Sequence, residues 1–79
     1  MDKALEYLGK SRDIYDRLML QKTTSYGNIL FGLASVYETK GQRDEAGKLY
    51  RKTYETYQGA GYTGEWKYKA RQNAERLGN

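Results

Sequence analysis

The run Leu30-Phe31-Gly32-Leu33-Ala34-Ser35-Val36-Tyr37-Glu38-Thr39-Lys40-Gly41-Gln42-Arg43-Asp44-Glu45-Ala46-Gly47-Lys48-Leu49-Tyr50 decides the fold. Before Gly41, Leu30, Leu33, Ala34 and Tyr37 recur at the spacing of one helical face, and Ile29 and Phe31 widen that face. After it, Ala46, Leu49, Tyr50, Thr53, Tyr54 and Tyr57 keep to one face for three turns. Gly41 supplies the stop between them. The connection is short, as an antiparallel helical hairpin requires. Alanine at positions 34 and 46 lets two such helices close on each other while larger side chains fill the space around the contact.

Working outward, glycine marks the remaining breaks, at Gly59-Ala60-Gly61 with Gly64 and at Gly78, and the chain has no proline. Four helices are expected, over residues 2–20, 25–39, 43–58 and 65–77. Thr23, Thr24 and Ser25 offer capping hydroxyls to the second, and Asp44-Glu45 puts negative charge in the first turn of the third. The first helix carries Ala4, Leu5, Leu8, Tyr15, Leu18 and Met19; the fourth has only the thin line Trp66, Ala70, Ala74 and Leu77, as an end-piece would. Gly9, Gly27, Gly32 and Gly47 fall inside these helices, each costing about 1 kcal/mol relative to alanine unless a close approach of backbones requires it.

Seventy-nine residues make one all-α domain with a small core. With no cysteine and no histidine, disulfides, zinc-thiolate sites, thiol nucleophiles and imidazole bases are excluded. Asp13 with Asp16, or Asp44 with Glu45, have no such partner nearby, so neither enzyme activity nor a metal or other cofactor is expected. The start, Met1-Asp2-Lys3-Ala4, lacks a signal-peptide pattern, and no apolar run approaches the roughly 20 residues of a membrane span. A cytoplasmic protein with no membrane partner is the expectation. The net charge of +4 arises in the second half: residues 1–39 hold five basic and five acidic side chains, residues 40–79 nine and five.

Shifting the chain by 42 residues sets the first helix on the third: Asp2 meets Asp44, Ala4 Ala46, Leu8 Tyr50, Lys10 Lys52, Ser11 Thr53 and Tyr15 Tyr57. Together with the quoted run, this resembles the tetratricopeptide repeat. Leu30 stands for that family's large residue, Leu33 and Ala34 for its leucine and small residue, Tyr37 for its tyrosine, and Gly41 for its turn glycine. Asp44-Glu45-Ala46 matches the start of its second helix, Tyr50 its aromatic and Thr53 its final small residue. The period exceeds the family's ~34 residues and is similar to the longer one of the kinesin light chain and some bacterial regulators. The glycine-rich end replaces the usual proline. The match is best over residues 27–58; two registers are open for the fourth helix, and an unrelated four-helix bundle is the alternative.

The resemblance implies antiparallel hairpins stacked in a right-handed superhelix, and a protein–protein interaction module binding a peptide or helix in a concave groove. Asn28, Phe31, Ser35 and Glu38 of the second helix would line that groove, joined by Lys69 and Asn73 of the fourth. Phe31 is the sharpest anchor, the plainer account being burial between helices two and four. Trp66, Lys67, Arg71 and Arg76 interleave aromatic and cationic groups, a pattern that could serve an acidic peptide or nucleic acid but better suits a capping helix with a solvated outer face. Self-association is the third possibility, through an exposed first-helix face of Tyr7, Ile14 and Leu18.

Overall fold

The computed structural model describes residues 2–18 and 23–78 and is all-helical over them: α1 (Asp2–Arg17), α2 (Thr24–Thr39), α3 (Arg43–Gly59) and α4 (Glu65–Arg76). Three of the helices match the expected bounds within about a residue. The first stops at Arg17 instead of residue 20: Leu18 forms a turn whose N–H still reaches the Ile14 carbonyl at 3.0 Å, and Met19 and Leu20 lie outside the described residues.

Three of the boundaries have a clear local cause. Thr23 caps α2 from an extended conformation, its Oγ1 accepting the Tyr26 N–H at 3.1 Å. α2 and α3 end alike. Gly41 and Gly61 adopt φ of 84° and 74°, and the next residue's N–H returns to a helical carbonyl: Gln42 to Tyr37 at 2.9 Å, Tyr62 to Tyr57 at 3.0 Å. This left-handed closure favours glycine and throws the following side chain back over the last helical turn.

Successive helices pack on one another, α2 against α3 most extensively and α1 against α2 least. One buried cluster joins Ala34 of α2, Ala46 and Tyr50 of α3, and Ala74 with Leu77 at the end of α4. The other centres on Tyr26, Leu30 and Leu33 of α2, with Leu8 and Tyr15 of α1 packed onto it. Leu8 and Tyr15 of α1 face inward like Tyr50 and Tyr57, with which the 42-residue shift pairs them, the latter more deeply because α3 packs against both α2 and α4, whereas the paired Lys10 and Lys52 are exposed. The expected stripe of α3 is buried at Ala46, Tyr50, Thr53 and Tyr57 and half-buried at Leu49 and Tyr54. Thr53 and Thr56 bring hydroxyls into this interior without leaving them unpaired, each donating to the carbonyl four residues earlier at 2.7 Å. Among the described residues, no buried side-chain polar atom lacks a partner.

Two of the helical glycines sit where helices touch. A Cβ on Gly27 would run into the Tyr57 ring, and one on Gly32 would come 3.2 Å from Leu8 Cδ1. Gly9 has nothing within 4 Å, so no packing requirement accounts for it. Among the described residues, no helix is long and apolar enough to cross a membrane.

Candidate functional site

A cleft of about 440 Å³ is lined by Thr24, Asn28, Phe31, Gly32, Tyr57, Tyr62 and Trp66. α2 forms one wall, the last turn of α3 and the loop after it form the floor, and the first turn of α4 forms the far side. Four of the seven lining residues are aromatic and none is charged.

Each ring is held by an identifiable contact. Phe31 stands edge-on to Tyr50 and to Trp66, both centroids 5.3 Å away at 78° and 82°, so it bridges all three helices. Tyr62, folded back by the Gly61 turn, tilts against Tyr57 with centroids 4.7 Å apart. The Tyr57 hydroxyl donates to Asn28 Oδ1. Burial, reinforced by the neighbouring Tyr62, pushes the Tyr57 phenol up to about 12, so it remains a donor at ordinary pH. Asn28, which accepts this bond, is itself exposed at the cleft. Trp66 is 45% exposed and forms the open lip.

The groove residues expected from sequence fall into two groups. Asn28 and Phe31 line the cleft. Ser35, Glu38 and Asn73 lie farther along α2 and α4, where Glu38 ties α2 to both α3 and α4. Glu38 Oε1 accepts from the Tyr50 hydroxyl at 3.2 Å, and its Oε2 meets Arg76 Nη2 at 2.7 Å; that Nη2 also donates to Asn73 Oδ1 at 3.2 Å. Burial, with Glu38 and its charge close by, raises the Tyr50 phenol, and the Ser35 hydroxyl beside it works the other way. Lys69 reaches neither group directly: its ammonium lies 4.6 Å over the Trp66 ring and 3.8 Å from Glu65.

Trp66, Lys67, Arg71 and Arg76 do not share a surface. The buried line Ala70, Ala74 and Leu77 runs between them. Trp66 and Arg76 lie on the α2 side of that line. Lys67 lies on the other, 5.6 Å over the Tyr54 ring, with Arg71 one turn on and 3.1 Å from Glu75 Oε1. Helical spacing requires this division, since positions 66 and 76 lie on one side of position 70 and positions 67 and 71 on the other. Among the described residues, no group of three or more acidic side chains is placed to hold a metal ion.

Of the lining residues, the sequence does not mark Thr24, Gly32, Tyr57 and Tyr62, and it places Trp66 with the basic residues of α4. Tyr57 was assigned to the core, which it also serves, and Tyr62 belongs to no periodic segment. The signal for Tyr62 was present: a glycine closing a helix places the next residue over the one four positions before that glycine. In a comparison with known proteins, no family model, no curated protein and no solved structure matches this chain.

Proposed function

We propose that the chain is a protein–protein interaction module of tetratricopeptide-like construction, and that the cleft between α2 and α4 takes a neutral apolar or aromatic side chain from a partner's peptide or helix. The observation that carries this reading is a preformed concavity walled by four aromatic rings with no charged residue in its lining. Its size falls within the range of about 300–1,000 Å³ typical of ligand sites. A buried anchor of this kind contributes roughly 1.5–3 kcal/mol from area alone, and ring–ring contact adds about 0.5–1.5 kcal/mol. The Asn28 amide at the rim suits a partner's backbone carbonyl. The resemblance over residues 27–58 supports the same face, since first helices line the groove in that family. Division of the basic residues between two flanks of α4 weighs against nucleic acid.

The test uses Trp66, the only tryptophan in the chain. Peptides enriched from a displayed random library on the wild-type protein are titrated while Trp66 emission is followed. The enriched sequences should share a neutral apolar or aromatic residue and shift the emission. Thr24→Arg, which places a long charged side chain at the mouth, should weaken them by about tenfold or more. Failure to enrich any peptide, or equal binding by Thr24→Arg with its helical signal intact, would overturn the proposal. Phe31→Ala is less discriminating, because Phe31 also packs on Tyr50 and Trp66.

A further inference from the structure

α1 carries an apolar stripe that nothing among the described residues covers. Tyr7, Ile14 and Leu18 are 70%, 50% and 60% exposed. At 3.6 residues per turn they fall within an arc of about 40°. Scattered surface apolar residues are ordinary, but three in line at heptad spacing form one half of a two-helix seam. The two borders of this stripe differ. On one side Leu8 and Tyr15 are already packed against α2. On the other, Lys3, Lys10 and Arg17 repeat every seventh residue in a row of exposed cations. Lys10 is bound to Glu6 at 3.2 Å, but both side chains are largely in water and the pair leaves the row accessible.

The cationic border selects the occupant. A second copy pairing antiparallel about a two-fold axis would set Lys3, Lys10 and Arg17 against the same row of its mate, a like-charge arrangement. In a parallel pair the row would need to meet the border that α2 already occupies. We infer that the outer face of α1 docks an amphipathic helix of a partner protein whose own apolar stripe is bordered by aspartate or glutamate. Tyr7, Ile14 and Leu18 supply the apolar contact, and the cationic row sets the direction and excludes basic helices. This surface is separate from the α2–α4 cleft.

The probe is a labelled synthetic helix of roughly 20 residues, long enough to be helical in contact, with leucine at the two seam positions of each heptad and glutamate at the flanking positions. A second peptide carries lysine at those flanks. By fluorescence anisotropy at low salt, the glutamate peptide should bind the whole chain at least about tenfold more tightly than the lysine peptide. Ile14→Asp should weaken it by about tenfold or more, and the triple variant Lys3→Gln, Lys10→Gln, Arg17→Gln should bring the two peptides close to parity. These four side chains are exposed, so the variants should melt close to the wild type, and Thr24→Arg should bind the glutamate peptide unchanged. The inference is overturned if neither peptide binds, if the two bind equally to the wild type, or if Ile14→Asp has no effect. It is also overturned if sedimentation shows a wild-type dimer that Ile14→Asp dissociates, because the face then belongs to a second copy.

Discussion

Replacing Gly27 by alanine should destabilise the protein, although alanine is the better helix former. Taken alone, the substitution inside α2 favours the helix by about 1 kcal/mol. Against that, the new Cβ would stand only 2.6 Å from Tyr57 Cδ1 and 3.1 Å from Cζ, and closer still to Cε1. The ring has little freedom to retreat: Tyr57 is 1% exposed, tied to Asn28 through its hydroxyl and backed by Tyr62. Overpacking of this kind costs about 1–3 kcal/mol, and displacing the hydroxyl from Asn28 costs about 0.5–1.5 kcal/mol more. The net expectation is a loss of about 2 kcal/mol, within a range of about 0.5–3.5 kcal/mol, and the central value corresponds to roughly 8–16 °C in Tm for a domain of this size. Two companion variants make the series decisive. Gly9→Ala meets nothing within 4 Å and should raise Tm by a few degrees, roughly what 1 kcal/mol yields. Gly32→Ala meets only the flexible end of Leu8 and should fall close to the wild type. Thermal and urea melts followed by circular dichroism read all three. A Gly27→Ala protein as stable as the wild type would refute the close contact of α2 with α3, as would equal losses at positions 9 and 27.

Three further outcomes follow from the same contacts. Thr23→Ala removes the acceptor for the Tyr26 N–H and should cost about 1 kcal/mol; an unchanged urea midpoint would place the cap elsewhere. Glu38→Ala leaves the Tyr50 hydroxyl and Arg76 without their carboxylate and should cost about 1–2 kcal/mol, whereas a residue serving only a partner would leave the melt unmoved. At alkaline pH the fold should weaken: burial first, and then Asp16, pushes the Tyr26 phenol to about 12, and Tyr57 rises to about 12 as well. The folded chain therefore holds protons that the unfolded chain releases near 10, so this stability is complete below pH 10 and is lost as pH rises towards about 12. An absorbance titration in which all nine tyrosines ionise together near 10, with a level Tm, would contradict it.

The four helices could be read from the sequence because periodicity and punctuation agree at most boundaries. Leu30, Leu33 and Ala34 were marked by their spacing and are buried, and Gly41, Gly61 and Gly78, all in or beside the expected breaks, adopt left-handed φ. Tyr26 was passed over although it lies four residues before Leu30 on the same face; it sits in the first turn, where an edge is hardest to place. The cleft was only half visible. Asn28 and Phe31 came with the resemblance, which puts them in the groove, but Thr24, Tyr57 and Tyr62 join them through the turn at Gly61 and the crossing of α2 with α3. Glu38 and Arg76 lie far apart in sequence, and only the packing of α4 against α2 converts two surface charges into a bridge. The basic run at the start of α4 reads as one patch in a line of text, yet a helix distributes adjacent letters around its axis.

The central claim, that the aromatic cleft receives a partner's side chain, is tested most directly by mapping amide and indole resonances of the isotopically labelled protein during titration with a library-selected peptide. The largest shifts should fall on Thr24, Asn28, Phe31, Gly32, Tyr62 and the Trp66 indole N–H, with α1 and the Lys67–Arg71 flank unmoved. Shifts concentrated on Lys67 and Arg71, with the six cleft positions silent, would contradict the claim.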